Sequence, residues 1–164
     1  MVYKFCCYLD SLLNNNVADD FVDLATTGII ADVEPLQELE TRAIILKGLQ
    51  DFKNPLLKTM VDKDDFHFGG KDLTPFNVAW YIAPYINAVS RSGTEEERRI
   101  VFESMIDFLA YELVPSTKRG CKGQMETRVE QAVRICNNVK NRQTKIKEKS
   151  METILEIIEK ENLI

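Results

Sequence analysis

The chain has one histidine, one tryptophan, seven glycines and five prolines among 164 residues. With a single histidine, the chain has no imidazole cluster with which to hold a metal ion. The four cysteines, Cys6, Cys7, Cys121 and Cys136, form no Cys-x-x-Cys pair and have no histidine at zinc-finger spacing. Reduced thiols are therefore expected, with neither a disulfide nor a structural zinc. The N-terminal stretch MVYKFCCYLDSLL has no apolar core or cleavage site of signal-peptide character, and no apolar run approaches the length of a bilayer span. The expectation is a cytosolic protein without a membrane partner. Sustained apolar/polar alternation is missing too, which excludes half-buried strands and points to an all-α fold class.

A composition that is 45% hydrophobic with a formal charge of -5 suits one soluble core, and the length allows a single compact domain with an appendage. The charge is unevenly spread. Residues 118–149 hold ten Lys or Arg against three Glu, net +7, whereas residues 1–117 hold ten against nineteen acids, net -9. A basic segment on an acidic chain is a candidate phosphate-contacting face, and the other reading is a solvated helix face.

Apolar spacing predicts a first helix over 2–13 ending in the Asn14-Asn15-Asn16 turn. A second carries Phe21, Leu24 and Gly28 on one face and stops before Pro35, because the residue preceding a proline is pushed out of helical geometry. A third runs over 39–52 with Ala43, Ile44, Leu46 and Leu49 as its core stripe. Asn54-Pro55 opens a fourth. Residues 62–72 read as a charged loop, with His67 as a surface histidine. Thr74-Pro75 opens a helix that must bend at Pro84, and on it Phe76, Trp80 and Tyr81 read as core. Thr94 and Glu97 form a capping box for a helix reaching about Leu113, with Glu95 placed to pair with Arg99. After a turn-rich basic loop, Pro115 to Gly123, an unbroken helix spans about 126–162. Its Val129, Ala132, Val133, Cys136 and Val139 can pack on the body. Met151, Ile154, Leu155, Ile157 and Ile158 form a second apolar patch, to be covered by another domain, a partner or a second copy in a coiled-coil homodimer.

Two segments carry a family resemblance. Leu24 to Leu36, with the core Gly28-Ile29-Ile30-Ala31-Asp32-Val33-Glu34-Pro35-Leu36, resembles the Gly-x-x-Ala-Asp-Val-x-Pro-Leu signature of RecJ-like DHH-family exonucleases. Ile82-Ala83-Pro84-Tyr85-Ile86-Asn87-Ala88-Val89-Ser90-Arg91 resembles the same family's Ile-x-Pro-Arg-Ile-Asn-Ala-Ala-Gly-Arg segment. The loop from Pro115 to Gly123 and the stretch Asn138 to Gln143 are similar to RecJ-like proteins of phages and prophages. The resemblance implies residues 1–125 as the helical part of a DHH-type domain and 126–164 as a long connecting helix. It further implies 5′→3′ hydrolysis of single-stranded DNA with Mn2+ or Mg2+, Asp32 as a metal ligand, and Asn87 with Arg91 as phosphate contacts on the same surface as Asp32. Lys118, Arg119 and Lys122 are the further nucleic-acid contacts read from the basic loop.

The chain departs from the family at Tyr85, where Arg is usual, and at Ser90 in place of Gly. It also lacks Asp-His-His and the front-half Asp-x-Asp that the family supplies ahead of the Asp32 signature; its one Asp-x-Asp, Asp62-Lys63-Asp64, comes after that signature. A two-metal hydrolase needs several carboxylates and imidazoles around its ions, so the expectation is a part of such an enzyme, inactive alone and completed by a missing N-terminal half or a partner chain. The alternative is a non-catalytic interaction or DNA-binding protein of phage origin built on the same helices.

Overall fold

The structure is a computed structural model, and it describes residues 2–50, 52–70, 72–121 and 123–161. It is all-α, about 71% helical. Helix α1 (Val2–Leu13) ends at Asn14, whose φ of 54° is the left-handed turn expected of an asparagine. A 3-10 turn (Ala18–Phe21) leads into α2 (Val22–Ala31), followed by α3 (Leu39–Gly48) and α4 (Pro55–Asp62). The Asn54 side chain caps α4 by accepting from the Leu56 and Leu57 amides, as Asn-Pro at a helix start predicts.

The remaining elements are α5 (Asp65–Phe68), α6 (Pro75–Tyr81), α7 (Ala83–Ser92), α8 (Glu95–Glu103), α9 (Asp107–Ala110), strands β1 (Leu113–Pro115) and β2 (Met125–Thr127), and α10 (Arg128–Glu161). The helix that had to bend at Pro84 does so as a break at Ile82 between α6 and α7. The Thr94/Glu97 capping box is present, with Thr94 N–H donating to Glu97 Oε2 at 2.8 Å and Glu97 N–H to Thr94 Oγ1 at 3.2 Å.

The core lies where α4, α7 and α8 meet the first three turns of α10, with α6 packed on α7. Leu56, Leu57, Val78, Ile82, Ala132 and Val139 are wholly buried there, and Val129, Val133 and Cys136 join them as the sequence spacing required. Burial pushes the Cys136 thiol up to about 12. All four cysteines are free. No helix among the described residues is long and apolar enough to cross a membrane.

Several expectations are corrected. The third helix stops at Gly48, and its buried stripe is Ile45 and Gly48, while Ala43 and Leu46 face solvent. A Cβ on Gly48 would lie 2.1 Å from Thr26 Oγ1 and 2.8 Å from the Val22 carbonyl oxygen, so α3 turns toward α2 the one face on which a glycine permits contact. The 62–72 loop contains α5, capped by the Asp64 side chain accepting from His67 N–H, and its Phe68 enters the core. His67 is half-buried, with Nδ1 2.7 Å from Asp64 Oδ2 and its ring stacked on Tyr81 at 3.7 Å.

The helix from Thr94 breaks at Ser104, whose buried hydroxyl donates to the Val101 carbonyl. The residues that follow form α9 and a two-stranded antiparallel hairpin pairing Leu113 with Thr127. Arg99 pairs with Glu96 and Glu103 rather than Glu95. Phe76 and Trp80 are 60% and 63% exposed rather than core.

Candidate nucleic-acid and metal site

Asp32 closes α2. Its own N–H and those of the next two residues end the helix: Val33 N–H donates to the Ile30 carbonyl at 3.2 Å and Glu34 N–H to the Ile29 carbonyl at 3.2 Å. This is the Schellman arrangement, in which the residue after the cap takes the left-handed conformation and is normally glycine. Here that residue is Val33, at φ 56° and 86% exposed. A β-branched residue in this region is strained by about 1–2 kcal/mol, and the strain sits directly beside the carboxylate. Val33→Gly is therefore expected to raise the stability of the chain by about 1 kcal/mol in urea unfolding. An unchanged or lower midpoint would show the turn to be unstrained.

The Asp32 carboxylate stands on the rim of a groove of about 650 Å³ between α1, α2 and α3, with Leu24, Gly28 and Ile44 in its wall and Glu34 and Glu40 on its edge. Beside the groove, polar contacts tie its Tyr3 to α3 through Asp19. Tyr3 donates its hydroxyl to Asp19 at 3.0 Å, and Lys47 of α3 reaches Asp19 at 2.6 Å. The hydrogen bond from Lys47 holds the Asp19 carboxyl below its ordinary range, and burial raises the Tyr3 hydroxyl.

From beneath, α2 is fixed by Asp23, buried to 1% exposure, which accepts from its neighbour Leu24 N–H at 2.7 Å and from Asn54 N–H at 2.7 Å. Thr26 donates to the Ile44 carbonyl at 3.0 Å. These contacts set the direction in which the α2 C-terminus points. No resemblance singled out Asp23, Asn54 or Gly48. No sequence signal pointed to Asp23: the expected face of α2 was Phe21, Leu24 and Gly28, whereas the face that is buried is Val22, Asp23, Thr26 and Thr27.

Asn87 and Arg91 lie one turn apart on α7, which packs against α2, so the two signature segments occupy neighbouring, touching helices. Asn87 is half-buried and Arg91 exposed. Among the described residues no hydrogen bond or ion pair engages either side chain, and Ser90 donates its hydroxyl to the Asn87 carbonyl.

Among the described residues no group of three or more His, Cys, Asp or Glu side chains is placed to hold a metal ion. Glu40, another carboxylate lining the groove, is engaged by Lys4 at 2.7 Å. A two-metal centre does not fit these residues by themselves, because Asp32 supplies one carboxylate where several ligands are needed.

The basic segment is less available than its net +7 suggests. Arg128 is held between Glu103 at 2.7 Å and Glu112 at 2.5 Å, Arg134 pairs with Glu126, and Arg142 with Glu97 at 2.9 Å. Arg142 in turn holds the Glu97 carboxyl below its usual range, and Lys63 does the same for Glu130, to about 2. Three arginines of the segment are thus spent fastening α10 to α8 and the hairpin. Lys118 and Arg119, in the hairpin loop, and Lys140, Lys145, Lys147 and Lys149 along α10 have no side-chain partner among the described residues. Lys122, the third loop cation, lies outside the described residues.

No protein-family model and no solved structure matches the chain. Over 167 aligned positions and 99% of its length it is 38% identical to YorK of Bacillus subtilis (strain 168), a protein provisionally named an SPbeta prophage-derived single-strand DNA-specific exonuclease. It matches the yorK protein of Bacillus phage SPbeta, named in the same way, to the same degree. The chain spans 28% of the length of these relatives. Along nearly its whole length, then, this chain is similar to one stretch of larger prophage and phage proteins named as single-strand DNA-specific exonucleases.

Proposed function

We propose that this chain is one part of a RecJ-like, DHH-type exonuclease acting 5′→3′ on single-stranded DNA. In this reading Asp32 is one ligand of a Mn2+ or Mg2+ centre and Asn87 and Arg91 meet the strand's phosphates. The observation that carries it is the similarity to YorK over the full chain, taken with the two signature segments lying on contacting helices. The other metal ligands come from outside this stretch, which alone is inactive.

Bare apolar surface on α1 and an unfilled position on α2 support a docking role for this part of the chain. No residue of α1 is buried, and Val2, Phe5, Leu9 and Leu12, at the spacing of one helical stripe, are all exposed. Gly28, in the middle of α2, would meet nothing within 4 Å if it carried a Cβ. A mid-helix glycine costs about 0.5–1 kcal/mol relative to alanine, and nothing within the chain offsets it, whereas a surface pressed closely on α2 would need the missing side chain. The occupant is the remainder of such an enzyme, supplied in the same polypeptide or by a partner.

The test is reconstitution. Purified chain is assayed with Mn2+ on 5′-labelled and 3′-labelled single strands, alone and after co-expression with the portions of YorK outside the matched stretch. The expected outcome is no degradation by the chain alone, 5′→3′ degradation by the reconstituted pair, and loss of at least a hundredfold with Asp32→Ala. Degradation by the chain alone, or by an Asp32→Ala pair at the full rate, overturns the assignment. Complex formation without any activity would instead favour a non-catalytic interaction protein.

A further inference from the structure

The ring-to-ring contacts among the described residues all belong to one cluster, formed where α5 meets α6. Tyr81 is its hub: His67 stacks on it at 3.7 Å, and Phe68 and Phe76 meet it edge-on at 6.3 and 6.4 Å. The inner members are anchored. Phe68 is 5% exposed and sits in the core, and His67 is tied to Asp64 at 2.7 Å. The outer members are bare: Phe66 is 84% exposed, Phe76 60% and Trp80 63%, with Phe76 and Trp80 one turn apart at 5.9 Å between centroids. Three large rings are therefore held out to solvent on a fixed support, which is costly for a fold with apolar area to bury and favourable for binding, since a pre-positioned ring loses little freedom on contact.

We infer that Phe66, Phe76 and Trp80 form a platform on which bases of a single-stranded DNA stack. The inference rests on the single-strand reading above and names a further contact for the same substrate. Every base has a π-face, and only an unpaired strand offers it, so exposed rings select single strands without reading sequence. The exposed large hydrophobic residues of α5 and α6 are all aromatic, unlike those on α1 and the end of α10, where Val, Leu and Ile predominate. Its helix α6 also runs through the break at Ile82 straight into α7, which carries Asn87 and Arg91. The exposed carboxylates of Asp65 and Asp72 border the rings in sequence. They disfavour phosphates at the rim, so the contact is made by bases with the sugar-phosphate chain turned away.

Trp80 is the single tryptophan, so tryptophan emission, excited where the five tyrosines do not absorb, reports on this platform alone. Full-length chain is titrated at low salt with a labelled oligothymidylate and with an abasic strand of equal length, following both Trp80 emission and the anisotropy of the label. The expected result is quenching by oligothymidylate and not by the abasic strand. A Phe76→Ala/Trp80→Ala variant, whose side chains lie outside the core, should lose on the order of tenfold in affinity with its salt slope unchanged; its folding is checked by circular dichroism. If the labelled strand binds while Trp80 emission stays constant and the variant binds as tightly, the platform is wrong and the DNA reading stands; a protein partner would then be the occupant of these rings. If neither signal changes at any salt, both fall together.

Discussion

Gly48→Ala is expected to destabilise the chain by about 3 kcal/mol, a fall of roughly 10 °C in Tm for a domain of this size. The new methyl group would lie 2.1 Å from Thr26 Oγ1, 2.8 Å from Thr26 Cβ and 2.8 Å from the Val22 carbonyl oxygen. The hydroxyl could rotate away, but the backbone oxygen cannot, so α3 must retreat from α2. In retreating it breaks the hydrogen bond from Thr26 to the Ile44 carbonyl and leaves a hydroxyl of a wholly buried residue without its partner. Because α2 ends at Asp32, the same movement shifts the candidate metal ligand. Thermal and urea unfolding give the first readout. The second is a double variant, Gly48→Ala with Thr26→Ala, which removes the closest side-chain clash and should recover part of the loss. A Gly48→Ala chain within about 0.5 kcal/mol of wild type would mean that α2 and α3 pack less tightly than this.

Binding of single-stranded DNA to the isolated chain is expected to be weak and steeply salt-dependent, falling on the order of tenfold or more between 50 and 200 mM salt. The basic segment carries ten cations, yet Arg128, Arg134 and Arg142 are committed to Glu97, Glu103, Glu112 and Glu126. Contacts to phosphate must then come from the cations without partners, of which Lys118 and Arg119 are adjacent on the hairpin loop. Replacing both by Ala removes about two phosphate contacts and should flatten the log-log salt slope by roughly 1.4 on a single strand. The same change at Arg128 or Arg134 should leave the slope nearly untouched and lower stability instead, because it strips Glu103 or Glu126 of a partner. Fluorescence anisotropy across a salt series decides it. An unchanged slope in the Lys118→Ala/Arg119→Ala chain would return the loop to the status of a solvated surface. The acidic remainder, net -9 over residues 1–117, repels a polyanion at long range and keeps the affinity low at physiological ionic strength.

The all-α class, the caps at Asn54 and Thr94 and the break at Pro84 were legible in the sequence, since each depends on neighbouring residues only, whereas the stop of α3 at Gly48, the break at Ser104 and the Asp64 cap of α5 were not. Asn54-Pro55 starts α4, Thr94 with Glu97 starts α8, and Pro84 breaks the helix between α6 and α7 because a proline withholds an N–H wherever it stands. The inward stripe at the start of α10 was legible for a related reason: Val129, Ala132, Val133, Cys136 and Val139 follow the helical period with polar residues on the other side. The signature around Asp32 and the Asn87/Arg91 segment were likewise visible as residues in order.

What only the tertiary structure decided was which of several apolar faces would find a partner. On α3, Ile44, Ile45 and Leu46 are equivalent by hydropathy, and the choice of Ile45 follows from Gly48 having to face Thr26. Phe76 and Trp80 satisfy the helical period of a core helix, but α6 turns Val78 inward, and the rings are left outside. The charge of the basic segment could be counted from the sequence, while its availability could not, because Glu97, Glu103 and Glu112 reach their arginines from residues 16 to 45 positions away. Local chemistry fixes a helix boundary where a cap or a proline stands, as at Asn54, Thr94 and Pro84. The rotation of a helix about its own axis, and the partners of its long charged side chains, depend on neighbours brought together only by folding.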